Sequence, residues 1–113
     1  MDQRLRPRFK LNVEIRLYPH NNQAVRGRTV DISESGISGL FPVEVPIGEV
    51  VRLEFSLPLG DVEIYAMVRH RNAFRYGFQF LETNPASQIV GRTCRQLAME
   101  QDLPSGKTDS LKV

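Results

Sequence analysis

A chain of 113 residues is the size of one domain, with 41% hydrophobic residues to fill a core and 25% charged residues, an ordinary globular level. No apolar run approaches the ~18 residues of a bilayer-crossing helix, and Met1 to Lys10 is charged where a secretory leader turns apolar. A single cysteine, Cys94, excludes an internal disulfide and fits a reducing compartment, so the expected location is the cytoplasm.

The formal charge of +2 is unevenly spread. Arg4, Arg6, Arg8 and Lys10 against Asp2 give the first ten residues +3, which leaves the other 103 at −1. Twelve of the fifteen cations are arginine, whose planar fork of donors suits phosphate or guanine better than the point charge of lysine does. The bias points to an anion held with defined geometry by a basic arm, residues 1–10.

Beyond the arm, Val13, Ile15 and Leu17 alternate with Glu14, Arg16 and Tyr18, the period of a half-buried strand. His20 to Gln23 reads as a turn, and a second strand is predicted from about Ala24 to Ile32, with Arg26 and Arg28 facing solvent. Ser33 to Gly36 interrupts it before a short strand to Phe41. Pro42, Pro46 and Gly48 mark a loop. Val51, Leu53, Phe55 and Leu57 alternate again. Pro58-Leu59-Gly60-Asp61 is a hairpin signal, read with Gly60-Asp61 at its tip and Val62 to Val68 as the return strand. After a turn at Asn72, Tyr76, Phe78 and Phe80 make the sixth strand. Asn84 as N-cap and Pro85 at the first helical position open a helix to about Gln101, whose apolar face carries Val90, Cys94, Leu97 and Ala98. Asp102 onward reads as a flexible tail, leaving 11–101 as the folded body. Six short strands and one helix predict a small antiparallel barrel or sandwich.

Catalysis finds no support in these residues. His20 and His70 have no neighbour to orient them as a base, and two histidines with one cysteine lack zinc-ligand spacing. Cys94 reads as a small core hydrophobe. Gly106-Lys107-Thr108 resembles the end of a phosphate loop, but Gln101 stands where that loop needs its earlier glycine.

Two features rise above this background. Arg4-Leu5-Arg6-Pro7-Arg8 sets two arginines four residues apart on a chain stiffened by Pro7 and anchored by Phe9. Asp31-Ile32-Ser33-Glu34-Ser35-Gly36 offers a carboxylate that can accept from a guanine edge, a hydroxyl that can donate to a phosphate, and a glycine permitting close approach or positive φ. Arg-x-x-x-Arg leading into the first strand, Asp-x-Ser-x-x-Gly between the second and third, and a closing Arg75-Tyr76-Gly77-Phe78-Gln79-Phe80 strand together resemble the PilZ domain family over Gln3 to Ala98.

That resemblance implies an all-β fold, a six-stranded antiparallel barrel with a C-terminal helix, and a non-enzymatic receptor for the bacterial second messenger cyclic di-GMP. It implies Arg4 and Arg8 as contacts to phosphate and to guanine O6/N7, Asp31 on the guanine Watson–Crick edge, and Ser33 and Gly36 at the remaining motif positions. Arg6 and Arg69 are auxiliary candidates. Many members carry another arginine where this chain has Gln3, which bears on whether one or two ligand molecules are held. A receptor of this kind signals through an effector protein in motility, exopolysaccharide synthesis or pilus function. A PilZ-type adaptor that binds a protein and no nucleotide is the alternative. Single-stranded nucleic acid fits worse: Phe55, Phe78 and Phe80 fall on the core parity rather than forming stacking platforms.

Overall fold

The computed structural model describes residues 7–19, 23–81 and 85–102. Its strands are β1 (Phe9–Lys10), β2 (Glu14–Tyr18), β3 (Val25–Ile32), β4 (Gly36–Leu40), β5 (Val50–Leu57), β6 (Gly60–Asn72) and β7 (Arg75–Phe80). A helix, α1 (Pro85–Leu97), and a π-helical turn over Ala98–Asp102 follow. All pairings are antiparallel in the order β3-β2-β5-β6-β7-β4, and β4 returns to pair with β3. Six strands thus close a barrel, the expected fold class. No described helix is long and apolar enough to cross a membrane.

The seventh strand has a local cause. β1 pairs with the far end of β3 (Phe9↔Ile32, Lys10↔Asp31), while β2 pairs with its near end (Glu14↔Arg28 to Leu17↔Val25). Between them the chain kinks around the buried Thr29, whose Oγ1 donates to the Leu11 carbonyl (2.6 Å) and accepts from the Val13 amide (2.9 Å). One threonine hydroxyl does the work of two ladder bonds and splits the first strand. Strand pairing therefore reaches into the basic arm, and β2 begins at Glu14 rather than Val13.

The alternation read from sequence fills the interior. Val51, Leu53, Phe55 and Leu57 of β5 and Val62, Ile64, Ala66 and Val68 of β6 are all buried. Phe41, Tyr76 and Phe78 meet at centroid separations of 5.7–6.1 Å, two pairs edge-to-face and one stacked. Phe80 is only partly buried against this core. The helix lays Val90 and Cys94 onto the barrel, with Ile89 and Leu97 beside them.

Two boundaries differ from expectation. Leu57 pairs with Gly60, so Pro58-Leu59 forms the hairpin tip and Gly60 already begins β6. Gly60 has φ +152°, and a Cβ there would meet Ile89 Cδ1 at 2.9 Å, so glycine serves both the turn and the seating of α1. The α winding stops at Leu97 and widens into the π turn, where a continuous helix to Gln101 was expected. Asn84 and the segment 103–113 lie outside the described residues.

Candidate functional site

Asp31 sits on β3 just past a register shift between Thr29 and Asp31. It lies opposite Lys10 on one side and Ser38 on the other. Its Oδ1 accepts from Arg8 Nε (2.9 Å) and from Ser38 Oγ (2.7 Å), with Arg8 Nη2 2.8 Å away. Arg75 Nη2 stands 3.5 Å from Oδ2. Two guanidiniums and a hydroxyl thus surround one carboxylate. The arginines stay half-exposed while the carboxylate is four-fifths covered, its side chain 21% exposed.

The Ser33–Gly36 turn follows directly. Ser33 is fully buried, and its Oγ accepts from the amides of Ser35 and Gly36 (3.2 Å each). Its amide donates to the Gly36 carbonyl at 2.8 Å. The hydroxyl thereby satisfies the turn's own backbone. Gly36 does not have positive φ; its bareness serves strand packing instead, because a Cβ there would meet the Phe78 carbonyl oxygen at 2.2 Å. The turn is a rigid platform that fixes where Asp31 ends and β4 begins.

Outside the barrel wall, an open groove of about 1100 Å³ runs over β4, β7 and β6 beneath Arg8. Among the described residues, Arg8, Arg69, Arg71 and Arg75 line it, with Asp31 as the carboxylate in its wall. Ser35, Ser38, His70, Asn72 and Gln79 add neutral polar groups to its wall, and Gly36 lies among them. Arg69 donates to Gln79 across the β6–β7 pair, and Arg71 approaches Glu44 at 3.8 Å. Arg69 and His70 lie within β6, which runs on to Asn72, rather than at a strand end.

Of the residues singled out in sequence, Arg8, Asp31 and Gly36, with the auxiliary candidate Arg69, come together in this groove. Ser33 turns its hydroxyl into the turn, and Arg4, with Gln3 and Arg6, lies outside the described residues. Arg71, Arg75 and Ser38 were not anticipated. Arg75 stood in the closing-strand motif, but only the pairing of β4 with β7 shows that it reaches Asp31.

A second charged cluster on β2, β5 and β6 provides a contrast. Glu54 Oε1 accepts from Arg16 Nη2 and from the Tyr18 hydroxyl, both at 3.1 Å. Arg52 Nη1 donates to Glu54 Oε2 (2.6 Å) and Glu63 Oε2 (2.8 Å), with its guanidinium 4.0 Å from the Tyr18 ring centre. Burial works to raise the Glu54 carboxyl, but the hydrogen bonds from Arg16 and Tyr18 and the charge of Arg52 hold it below its ordinary value. Two cations face two carboxylates there, so the cluster is internally neutral. The groove, by contrast, keeps an excess of arginine beside open space.

The PilZ domain profile matches residues 2–96. The chain belongs to the PilZ domain family. The structural neighbours carry the same fold. The PilZ domain of YcgR from Escherichia coli, solved with cyclic di-GMP, superposes with a TM-score of 0.73 at 18% identity, covering 95% of this chain and 100% of that one. The Bacillus subtilis inhibitor of motility MotI/DgrA gives 0.75 at 19%, over 89% of this chain and 54% of that one. The PilZ domain of CeSA, from a cellulose-synthesizing bacterium, gives 0.67 at 18%, over 80% and 97%. This PilZ chain thus spans about half the length of MotI. No curated protein sequence matches it.

Proposed function

We propose that this PilZ domain is a cyclic di-GMP receptor whose ligand lies in the arginine-lined groove. The observation that carries the reading is the Arg8–Asp31–Arg75 cluster at the head of a positively charged groove. Support also comes from the neighbouring YcgR domain, solved with that dinucleotide. Binding is an exchange. The N1–H and N2–H₂ edge of a guanine replaces Arg8 as donor to Asp31, and a phosphate or guanine O6/N7 replaces Asp31 as acceptor for Arg8. Each charge keeps a partner throughout, so no buried charge is stranded. Arg4 supplies the second fork of the arm, Gly36 holds β4 against β7, and Ser33 holds the turn that presents Asp31. No step of the reading is catalytic. The messenger is intracellular, so the reading carries a cytoplasmic location and an effector protein that responds to the occupied arm.

The adaptor reading, which binds a protein and no nucleotide, draws on one observation: Asp31 is already satisfied by Arg8, Ser38 and Arg75 without ligand. Isothermal titration with cyclic di-GMP decides between them. The receptor reading expects a saturable heat that Arg8→Ala and Asp31→Ala each weaken tenfold or more, about 1.4 kcal/mol. Its stoichiometry counts the ligand molecules held. Absence of heat, with circular dichroism showing an intact fold, would replace the receptor with the adaptor.

A further inference from the structure

The base of the arm is held from an unexpected quarter. Lys10 turns its amide N–H and its carbonyl toward the open edge of β1, since β1 has β3 on one side and, among the described residues, no strand on the other. Gln101 fills that edge. Its Oε1 accepts from the Lys10 amide at 2.9 Å, and its Nε2 donates to the Lys10 carbonyl at 2.9 Å. A single carboxamide reproduces the pair of bonds that a neighbouring strand would make. The residues it joins are 91 positions apart. Gln101 belongs to the π turn that follows α1, so it is this irregular end of the helix that meets β1.

Lys10 is also the residue directly opposite Asp31, and Arg8, just ahead of β1 and two positions before Lys10, is ion-paired with that same Asp31. We infer that Gln101 is a positioning residue for the ligand-binding arm: it clamps β1 and through it seats Arg8 over Asp31 at the head of the groove. The ligand part of this inference rests on the cyclic di-GMP reading above; the clamp itself does not. Reciprocity follows. Whatever orders the arm also orders the end of the helix, and whatever pulls on the helix end loosens the grip on ligand.

Two readouts on the full chain test it. In ligand-free protein, amide exchange at Lys10 is expected to speed up about tenfold or more in Gln101→Ala. Gln101→Glu, which can still accept from the Lys10 amide but cannot donate to its carbonyl, should fall between wild type and Gln101→Ala. It also serves as the test variant should the alanine form unfold. In titration with cyclic di-GMP, Gln101→Ala is expected to bind about three- to tenfold more weakly. Because Gln101 acts through Arg8, the double variant Gln101→Ala/Arg8→Ala should bind no more weakly than Arg8→Ala alone. Unchanged exchange at Lys10, or single-variant losses that multiply in the double variant, would overturn the inference. A wild type that gives no heat sinks the receptor reading instead, and the exchange rates still decide the clamp.

Discussion

A methyl group on Gly36 has nowhere to go. The cross-strand carbonyl of Phe78 stands 2.2 Å from where its Cβ would be, and a main-chain oxygen in a closed ladder cannot swing aside as a side-chain end could. Gly36→Ala is therefore expected to lower stability by about 1–3 kcal/mol through forced separation of β4 from β7. Thermal unfolding of the variant checks this, and an unshifted midpoint would remove the packing argument. At this scale the sequence was partly readable. Asp31 and Arg8 stood out because the two short motifs that hold them, taken together, resemble one family, and the structure joins them in an ion pair. The direction of the Ser33 hydroxyl could not, because a serine beside a glycine turn serves backbone and ligand with the same chemistry. Arg71, Arg75 and Ser38 depend on which strands become neighbours, and no local pattern encodes that.

Among the elements, α1 shows what hydrophobic period can and cannot convey. Val90 and Cys94 fall on the face the spacing predicts, and both are buried. Burial pushes the Cys94 thiol from its ordinary 9.0 up to about 11, and the nearby charge of Glu34 adds to the rise. The unfolded chain then releases the proton first. This thiol's share of stability is whole below 9.0 and is lost as pH climbs toward about 11. Denaturant titrations at pH 8 and pH 10.5 should show a smaller alkaline loss in Cys94→Ala than in wild type. Equal losses would mean that the thiol is not shielded as described. What the period could not convey is where regular winding or pairing gives way. The split at Thr29, where one hydroxyl takes the place of ladder bonds, the tip at Pro58-Leu59 and the π turn at Ala98 all fall where no change of apolar period marks them.

For the molecule as a whole, charge is segregated rather than abundant. The β2–β5–β6 face neutralises itself with paired ions, while among the described residues four arginines face Asp31, with Glu44 at the margin beside Arg71, and leave the groove positive. On the proposed receptor reading, attraction of a doubly charged dinucleotide to such a partly open groove is screened by salt. Its dissociation constant should rise several-fold between about 50 and about 500 mM sodium chloride. Titrations across that range check it; a flat response would mean that neutral contacts dominate. The antiparallel all-β fold was legible in the alternating runs, which fit barrel or sandwich alike, and the family resemblance implied that the ring closes.

Ring closure has a mechanical corollary. The ladder β3-β2-β5-β6-β7-β4 is complete before β1 is counted, so β1 behaves as a latch on a finished drum rather than as one of its staves. Lifting the latch withdraws Phe9 from the edge of the core and frees a few main-chain bonds, yet it leaves every stave joined on both sides. The drum cannot report whether the latch is shut. A protein that listens to this domain must touch the latch or the helix end that Gln101 ties to it.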